Sequence, residues 1–213
     1  MTRASVNEIG LTLFLTRRLG LWDWDRLGSL QRETAIYRRL CQHLRQVDVV
    51  TYGGWRDRAF LTDLASVRIL PSPRRAPIAA SIAFLESFHG RALREADIYK
   101  TNQIPGAEIA LWFKRKYAKK LGLISEHLVL GFQLSGAPHT RKAARARELE
   151  RRAFAAADLG VVTSERDRQW VIANHHIDPE RMQVIPNFVL TGAFRPLPEE
   201  PRPSMRRLRR ASS

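Results

Sequence analysis

The apolar positions of the chain fall into short runs that alternate with longer stretches of helical spacing. Leu11 to Thr16 reads as a first strand. After a loop containing Trp22 and Trp24, Ser29 is placed to cap a helix in which Leu30, Tyr37, Leu40, Cys41 and Leu44 recur every three or four residues, and this assigns Cys41 to the core. Val47 to Tyr52, backed by Gly53 and Gly54, predicts a second strand, and Val67 to Leu70 before Pro71 predicts a third. Ile78 to Leu85 suits a helix interrupted at Gly90. Asp97 to Asn102 then supplies a fourth strand, turned by Pro105 and Gly106. Ala107 to Leu121 is apolar on one face, basic towards its end, and stops at Gly122. Leu123 to His127, with Leu128 to Phe132 behind it, offers a fifth strand before a loop at Ser135 to Pro138. Thr140 to Ala157 is helical, with Leu149, Ala153, Phe154 and Ala157 on one side, and Leu159 to Thr163 is a sixth strand. Ser164 and Asp167 form a capping box for a helix through Ala173. A turn at Asp178, Pro179 and Glu180 leads to a last strand, Met182 to Ile185.

About six or seven short strands interleaved with helices are the rhythm of one doubly wound parallel sheet, an α/β domain of the Rossmann-like kind. That domain is expected over residues 1–194. Residues 195–213 are punctuated by proline and arginine, lack periodicity, and read as an extended linker or disordered tail. With 213 residues, 44% hydrophobic and 27% charged, the chain can bury a single generous core. No apolar run is long enough for a signal core or a membrane span, and one cysteine excludes an intramolecular disulfide and a cysteine-based zinc site. These features fit a cytoplasmic protein.

The formal charge is +15, and thirty of the thirty-six cations are arginine. Such a balance invites anionic partners: nucleic acid, phosphorylated ligands or an acidic lipid surface. A basic non-catalytic binding module is therefore one reading of the chain. It lacks a recognition-helix signature and an aromatic RNA-binding strand motif, which argues against nucleic acid.

Three ordered segments point elsewhere. Ala156 to Glu165 (AADLGVVTSE), Asp178 to Val189 (DPERMQVIPNFV) and Phe194-Arg195-Pro196 resemble the end of the N-terminal domain of GT-B glycosyltransferases, in particular glycosyltransferase family 4. Phe14-Leu15-Thr16, Gln31 to Leu40, Val49 to Gly54 and Lys100 to Ala107 resemble bacterial members, so the similarity runs over roughly residues 9–196. The resemblance implies two Rossmann-like domains across a cleft, the first binding a glycan or lipid-linked acceptor and the second a nucleotide sugar. Only the acceptor-side half is expected here, because the family's paired donor-binding glutamates have no counterpart and Glu199 and Glu200 do not supply them. It follows that the chain is expected to be inactive alone, to hold no cofactor of its own, and to need a separately encoded or downstream donor domain. Phe188 and Leu190 stand where the family commonly has glycine and aspartate, which alters the expected hinge.

The resemblance makes His127 the leading catalytic candidate, at the end of the fifth strand where it would orient a hydroxyl or balance a phosphate; a structural histidine is the alternative. Arg17, Gly20 and Gly28 follow the first strand, where the family's loop brings backbone N–H groups to the donor diphosphate, although no Gly-Gly pair is present and ordinary loop glycines fit as well. Asn102 and Gln103 follow the fourth strand and would either bond sugar hydroxyls or cap the next helix. Trp22 and Trp24 would stack on a sugar or complete the core. Adjacent His175 and His176 diverge on a helix and end it rather than binding metal, so no metal site is expected. Lys114, Arg115, Lys116, Lys119 and Lys120 form a basic face that would rest on anionic lipid at the inner membrane surface or simply be solvated.

Overall fold

The computed structural model describes residues 5–60, 64, 66–125 and 141–187. Seven strands form one sheet among them: β1 (Gly10–Phe14), β2 (Gln46–Thr51), β3 (Val67–Pro71), β4 (Ile98–Thr101), β5 (Lys120–Ser125), β6 (Leu159–Val162) and β7 (Met182–Val184). Every pairing is parallel and the order is β3-β2-β1-β4-β5-β6-β7. Because β1 is covered on both faces, all five of its residues are buried, which is why this segment reads as apolar without alternation.

Among the described residues six helices cover the sheet: α1 (Leu21–Arg26), α2 (Leu30–Leu40), α3 (Ile78–Glu95), α4 (Ala107–Tyr117), α5 (Arg141–Ala156) and α6 (Glu165–His175). A 3₁₀ segment, Gly54–Phe60, links β2 to β3. Right-handed crossovers oblige a chain that first builds β1-β2-β3 in one direction to place its later helices on the other face once it returns to β4. Accordingly α1 packs with α2 and with the 3₁₀ segment, whereas α3, α4, α5 and α6 pack in series. The core centres on the return point: Phe14 of β1 meets the Tyr99 ring edge-on at 5.4 Å and stacks on Phe113 of α4 at 6.3 Å. Tyr99 also donates its hydroxyl to the Leu93 carbonyl at 2.6 Å, tying β4 to the end of α3.

Several local expectations are corrected. Gly90 does not interrupt α3, which runs its full eighteen residues; one interior glycine costs only about 1 kcal/mol and the packed face of so long a helix outweighs it. The basic helix ends at Tyr117, not at Gly122. Ala118 takes a left-handed conformation there, φ 51°, and the Lys119 N–H returns to the Lys114 carbonyl, so Gly122 falls inside β5. Ser29 is not a side-chain cap; its hydroxyl donates to the Trp24 carbonyl. The Ser164 oxygen does cap α6 by accepting from the Asp167 N–H, but the Asp167 carboxylate takes the Ser164 hydroxyl rather than its backbone N–H. Cys41 is only half-buried, with its thiol towards the Ser66 carbonyl. The second half of the fifth strand, the Ser135 to Pro138 loop, Phe188, Leu190 and the 195–213 tail lie outside the described residues.

The basic face is also different from a free cationic surface. Lys114 bonds the Ala156 carbonyl at 2.8 Å and Asp158 at 2.6 Å, Lys116 pairs with Glu86 of α3, and Lys120 lies 3.7 Å from Asp158. These lysines fasten α4 to its neighbours.

His175 and His176 close α6 as expected, the second in a left-handed conformation. His175 has a further role, because its Nε2 faces the carboxylate of fully buried Glu150 at 3.7 Å while its ring stacks on Phe154. Substituting His175→Ala, which removes a ring packed between Phe154 and Trp170, is expected to lower unfolding free energy by about 3 kcal/mol in chemical denaturation, whereas exposed His176→Asn is expected to change it by about 0.5 kcal/mol or less.

Candidate functional site

Strand order reverses between β1 and β4, and in an open parallel sheet the crevice beyond the carboxyl ends of the two strands flanking that point is where ligands bind. Two loops line it. The loop after β1 carries Leu15 to Gly20; the loop after β4 carries Asn102 to Gly106 and feeds α4. They are bonded to each other: the Arg17 N–H donates to the Pro105 carbonyl at 3.1 Å, the Asn102 N–H to the Phe14 carbonyl at 3.0 Å, and the Thr16 hydroxyl to Gln103 Oε1 at 3.0 Å.

Gly106 sets how closely these loops approach. Its φ is 115°, and a Cβ there would lie 2.8 Å from the Leu15 carbonyl oxygen, so only glycine brings the N-terminus of α4 this near to the end of β1. Glu108 in the first turn accepts the Gly106 N–H at 3.2 Å. Beneath them Tyr52 is buried with its hydroxyl unpartnered; burial and the Glu108 carboxylate push its ionisation well above the ordinary phenol range, with Arg17 opposing. The hydroxyls of Thr51, Ser72 and Thr101, at the carboxyl ends of β2, β3 and β4, are likewise buried and without a hydrogen-bond partner. Buried groups of this kind cost free energy, and they lie along the carboxyl ends of three strands of the sheet rather than in the crevice itself.

The residues singled out in the sequence divide. Arg17, Asn102 and Gln103 come together at the crevice, Asn102 almost buried at 5% exposure. Gly20 sits at the same edge but for another purpose. A Cβ on it would lie 2.5 Å from the Gly53 Cα, and its N–H is taken by Asp23. Gly28 is exposed, with φ 68°, and its N–H bonds the Asp25 carbonyl where α1 ends, away from the crevice. Trp24 is core; Trp22 is at the surface with the Arg26 guanidinium 5.3 Å from its ring. His127 lies outside the described residues.

Residues that sequence reasoning missed are Thr16, Tyr52, Glu108 and Asp57. Asp57, fully buried, accepts the N–H groups of Gly53 and Trp22 at 3.2 Å each and so locks the β1 and β2 ends together. The available signal was Gly53-Gly54 after β2, read as a strand terminus and as part of the family resemblance. Among the described residues, no group of three His, Cys, Asp or Glu side chains is placed to hold a metal ion.

The sequence profile described as Glycosyltransferase Family 4 matches residues 34–192, three quarters of the chain. This chain belongs to Glycosyltransferase Family 4. Solved structures with the same fold include HepE from Anabaena in complex with UDP-glucose, at 16% identity and a TM-score of 0.52 over 84% of this chain and 44% of HepE. Sucrose-phosphate synthase from Thermosynechococcus elongatus gives 13% identity and a TM-score of 0.59 over 84% of this chain and 48% of its own. The lipopolysaccharide outer core galactosyltransferase WaaB gives 15% and 0.51 over 85% and 46%. No curated protein matches the sequence. The chain spans just under half the length of these structures, and its sheet is the N-terminal, Rossmann-like half of the GT-B fold.

Close approach at Gly106 is directly testable. Gly106→Ala, strained at positive φ and against the Leu15 carbonyl, is expected to cost about 2 kcal/mol or more in thermal unfolding. Gly28→Ala, where a Cβ meets open space, is expected to cost about 1 kcal/mol or less through its positive φ alone.

Proposed function

We propose that this chain is the acceptor-side half of a family 4 glycosyltransferase, serving transfer of a sugar from a nucleotide-sugar donor to a hydroxyl of a glycan or lipid-linked acceptor. The observation that carries this reading is the crevice between β1 and β4. There Arg17, Asn102 and Gln103 stand beside the N-terminus of α4. Amide and guanidinium donors with nearby hydroxyls are suited to a hydroxyl-rich ligand, and the first turn of a helix favours negative charge developing on it. HepE, which shares the fold, is held in complex with UDP-glucose.

In this reading Asn102 and Gln103 orient the acceptor and Arg17 supplies positive charge facing the departing diphosphate. His127 is the catalytic candidate, positioning the reacting hydroxyl or offsetting phosphate charge. The nucleotide itself is bound by a donor-side domain, in a longer chain or a separate polypeptide, and residues 1–213 contribute no cofactor. Closure of the two halves excludes water and completes the charge arrangement, so neither half carries the chemistry by itself. Among the described residues no helix is long and apolar enough to cross a membrane, and the reading places the chain in the cytoplasm, with peripheral contact at the inner face of the membrane.

Two measurements test this. The purified 213-residue chain with UDP-glucose and a sugar acceptor is expected to give no sugar transfer; turnover by this chain alone overturns the division of labour. Asn102→Ala and Gln103→Ala are each expected to weaken acceptor binding about tenfold, the loss of one hydrogen-bonding group, and Gln103→Ala, which also gives up the Thr16 hydroxyl bond, to lower unfolding free energy by about 1 kcal/mol. Unchanged acceptor affinity in both variants moves the acceptor away from this crevice.

A further inference from the structure

The carboxyl edge of the sheet has a second, chemically different surface beyond β2 and β3. Trp55, in the 3₁₀ segment, meets Phe84 of α3 at 6.3 Å, and Phe84 stacks on Phe88 at 4.5 Å, forming a ladder of three rings. Trp55 is 52% and Phe88 64% exposed, so the rings are turned outwards. Helical spacing explains the ladder: residues 84 and 88 are one turn apart on α3, and the buried stripe of Ser81, Leu85 and Ala92 runs directly beside them on that helix.

Arginine lies against these rings. The Arg58 guanidinium lies 4.2 Å from the centre of the Trp55 ring, and Arg56 and Arg58 are both exposed. Arg75 is exposed in the loop entering α3, and neither it nor Arg56 makes an ion pair among the described residues. Asp57, the acid within this segment, is buried and bonded to the backbone of Gly53 and Trp22. The surface thus carries three aromatic rings with one guanidinium stacked on Trp55, and exposed arginines in the same 3₁₀ segment and in the loop entering α3.

We propose that Trp55, Phe84 and Phe88, with Arg56, Arg58 and Arg75, form a docking surface for an anionic lipid bilayer. Size favours a bilayer over a second copy of the chain. At about 200 Å² for a whole aromatic side chain, the exposed parts of these rings come to roughly 300 Å², well short of the about 800 Å² per partner that a stable protein interface takes. A bilayer makes no such demand. Shallow insertion of Trp and Phe rings at the headgroup level combines with attraction of arginines to anionic headgroups, and two such signals together give binding that neither gives alone. Arginine stacked on tryptophan keeps its charge while shedding little hydration, which suits that boundary. The basic run from Lys114 to Lys120, over the end of α4 and the start of β5, is the competing candidate, and three of its five basic residues are engaged with Asp158, Glu86 or the Ala156 carbonyl.

Docking at this corner is measured with no sugar donor or acceptor present, so its outcome is independent of the transferase reading. The 213-residue chain is sedimented with vesicles of phosphatidylcholine alone and of phosphatidylcholine mixed with phosphatidylglycerol. Binding is expected to the mixed vesicles, to fall with added salt, and to drop about tenfold or more in the double variant Trp55→Ser, Phe88→Ser and in the charge variant Arg56→Glu, Arg58→Glu. Both pairs are exposed, and unchanged circular dichroism and melting confirm that they fold. Lys119→Gln with Lys120→Gln is expected to retain parental binding. Absence of binding to the mixed vesicles, equal binding by the aromatic variant, or loss of binding in the Lys119 and Lys120 variant alone overturns the proposal. So does a concentration-dependent dimer of the parent chain that Phe88→Ser abolishes, because the rings would then face a second copy.

Discussion

The crevice depends on one close approach, that of Gly106 to the carbonyl oxygen of Leu15. Without a side chain at 106, the loop after β4 closes onto the loop after β1, the Arg17 N–H reaches Pro105, and Thr16 reaches Gln103. The first turn of α4 is thereby held at the point where strand order reverses. Phe14 stabilises the same junction from below through Tyr99 and Phe113, so β1, β4 and α4 are one packed unit and the site inherits their rigidity. A loop assembled in this way presents functional groups with little freedom, which is what orientation of two reactants requires.

A second junction, at the ends of β1 and β2, uses a different device. Gly20 and Gly53 approach too closely for any side chain, and Asp57 gathers the N–H groups of Gly53 and Trp22. The effect is to fasten the loop after β1 on both sides. Arginines and tryptophans carried on this fastened edge, Trp22 with Arg26 and Trp55 with Arg58, are therefore displayed from a stiff base rather than from loose loops. The positive charge of the chain has no single meaning in this light. Part of it is structural, as in Arg68 bonded twice to buried Asp48 and Lys114 capping the end of α5, and part of it faces outwards around aromatic rings.

The fold was largely legible in the sequence because each parallel strand is a short apolar run bounded by turn residues; six of the seven described strands fall on segments read that way, while β5 starts three residues early, inside the segment read as the end of a helix. Boundaries were less legible where a residue outside the usual vocabulary ended an element. Ala118 terminates α4 in a left-handed conformation normally expected of glycine, while Gly122 lies within a strand and Gly90 within a helix. Glycine in a sequence signals permission for a conformation, not its use. At the candidate site, the positions of Arg17, Asn102 and Gln103 after strands were legible in the sequence, whereas the packing of Gly20 against Gly53 and the end of α1 at Gly28 were set by tertiary contacts and backbone conformation that the sequence does not display.

Local order along the chain decides which segments are strands, which helices are amphipathic, and, through the ADLGVVTSE and DPERMQVIPN segments, the membership in Glycosyltransferase Family 4. These properties depend on periodicity and on neighbours a few residues away. Tertiary structure alone decides which residues share the crevice. Tyr52, Glu108, Thr16 and Gln103 are brought together by the return of the chain to β4 beside β1, a pairing between segments more than eighty residues apart. It also decides which cations are free, since whether an arginine or lysine has a carboxylate beside it is a matter of packed distance rather than of sequence spacing.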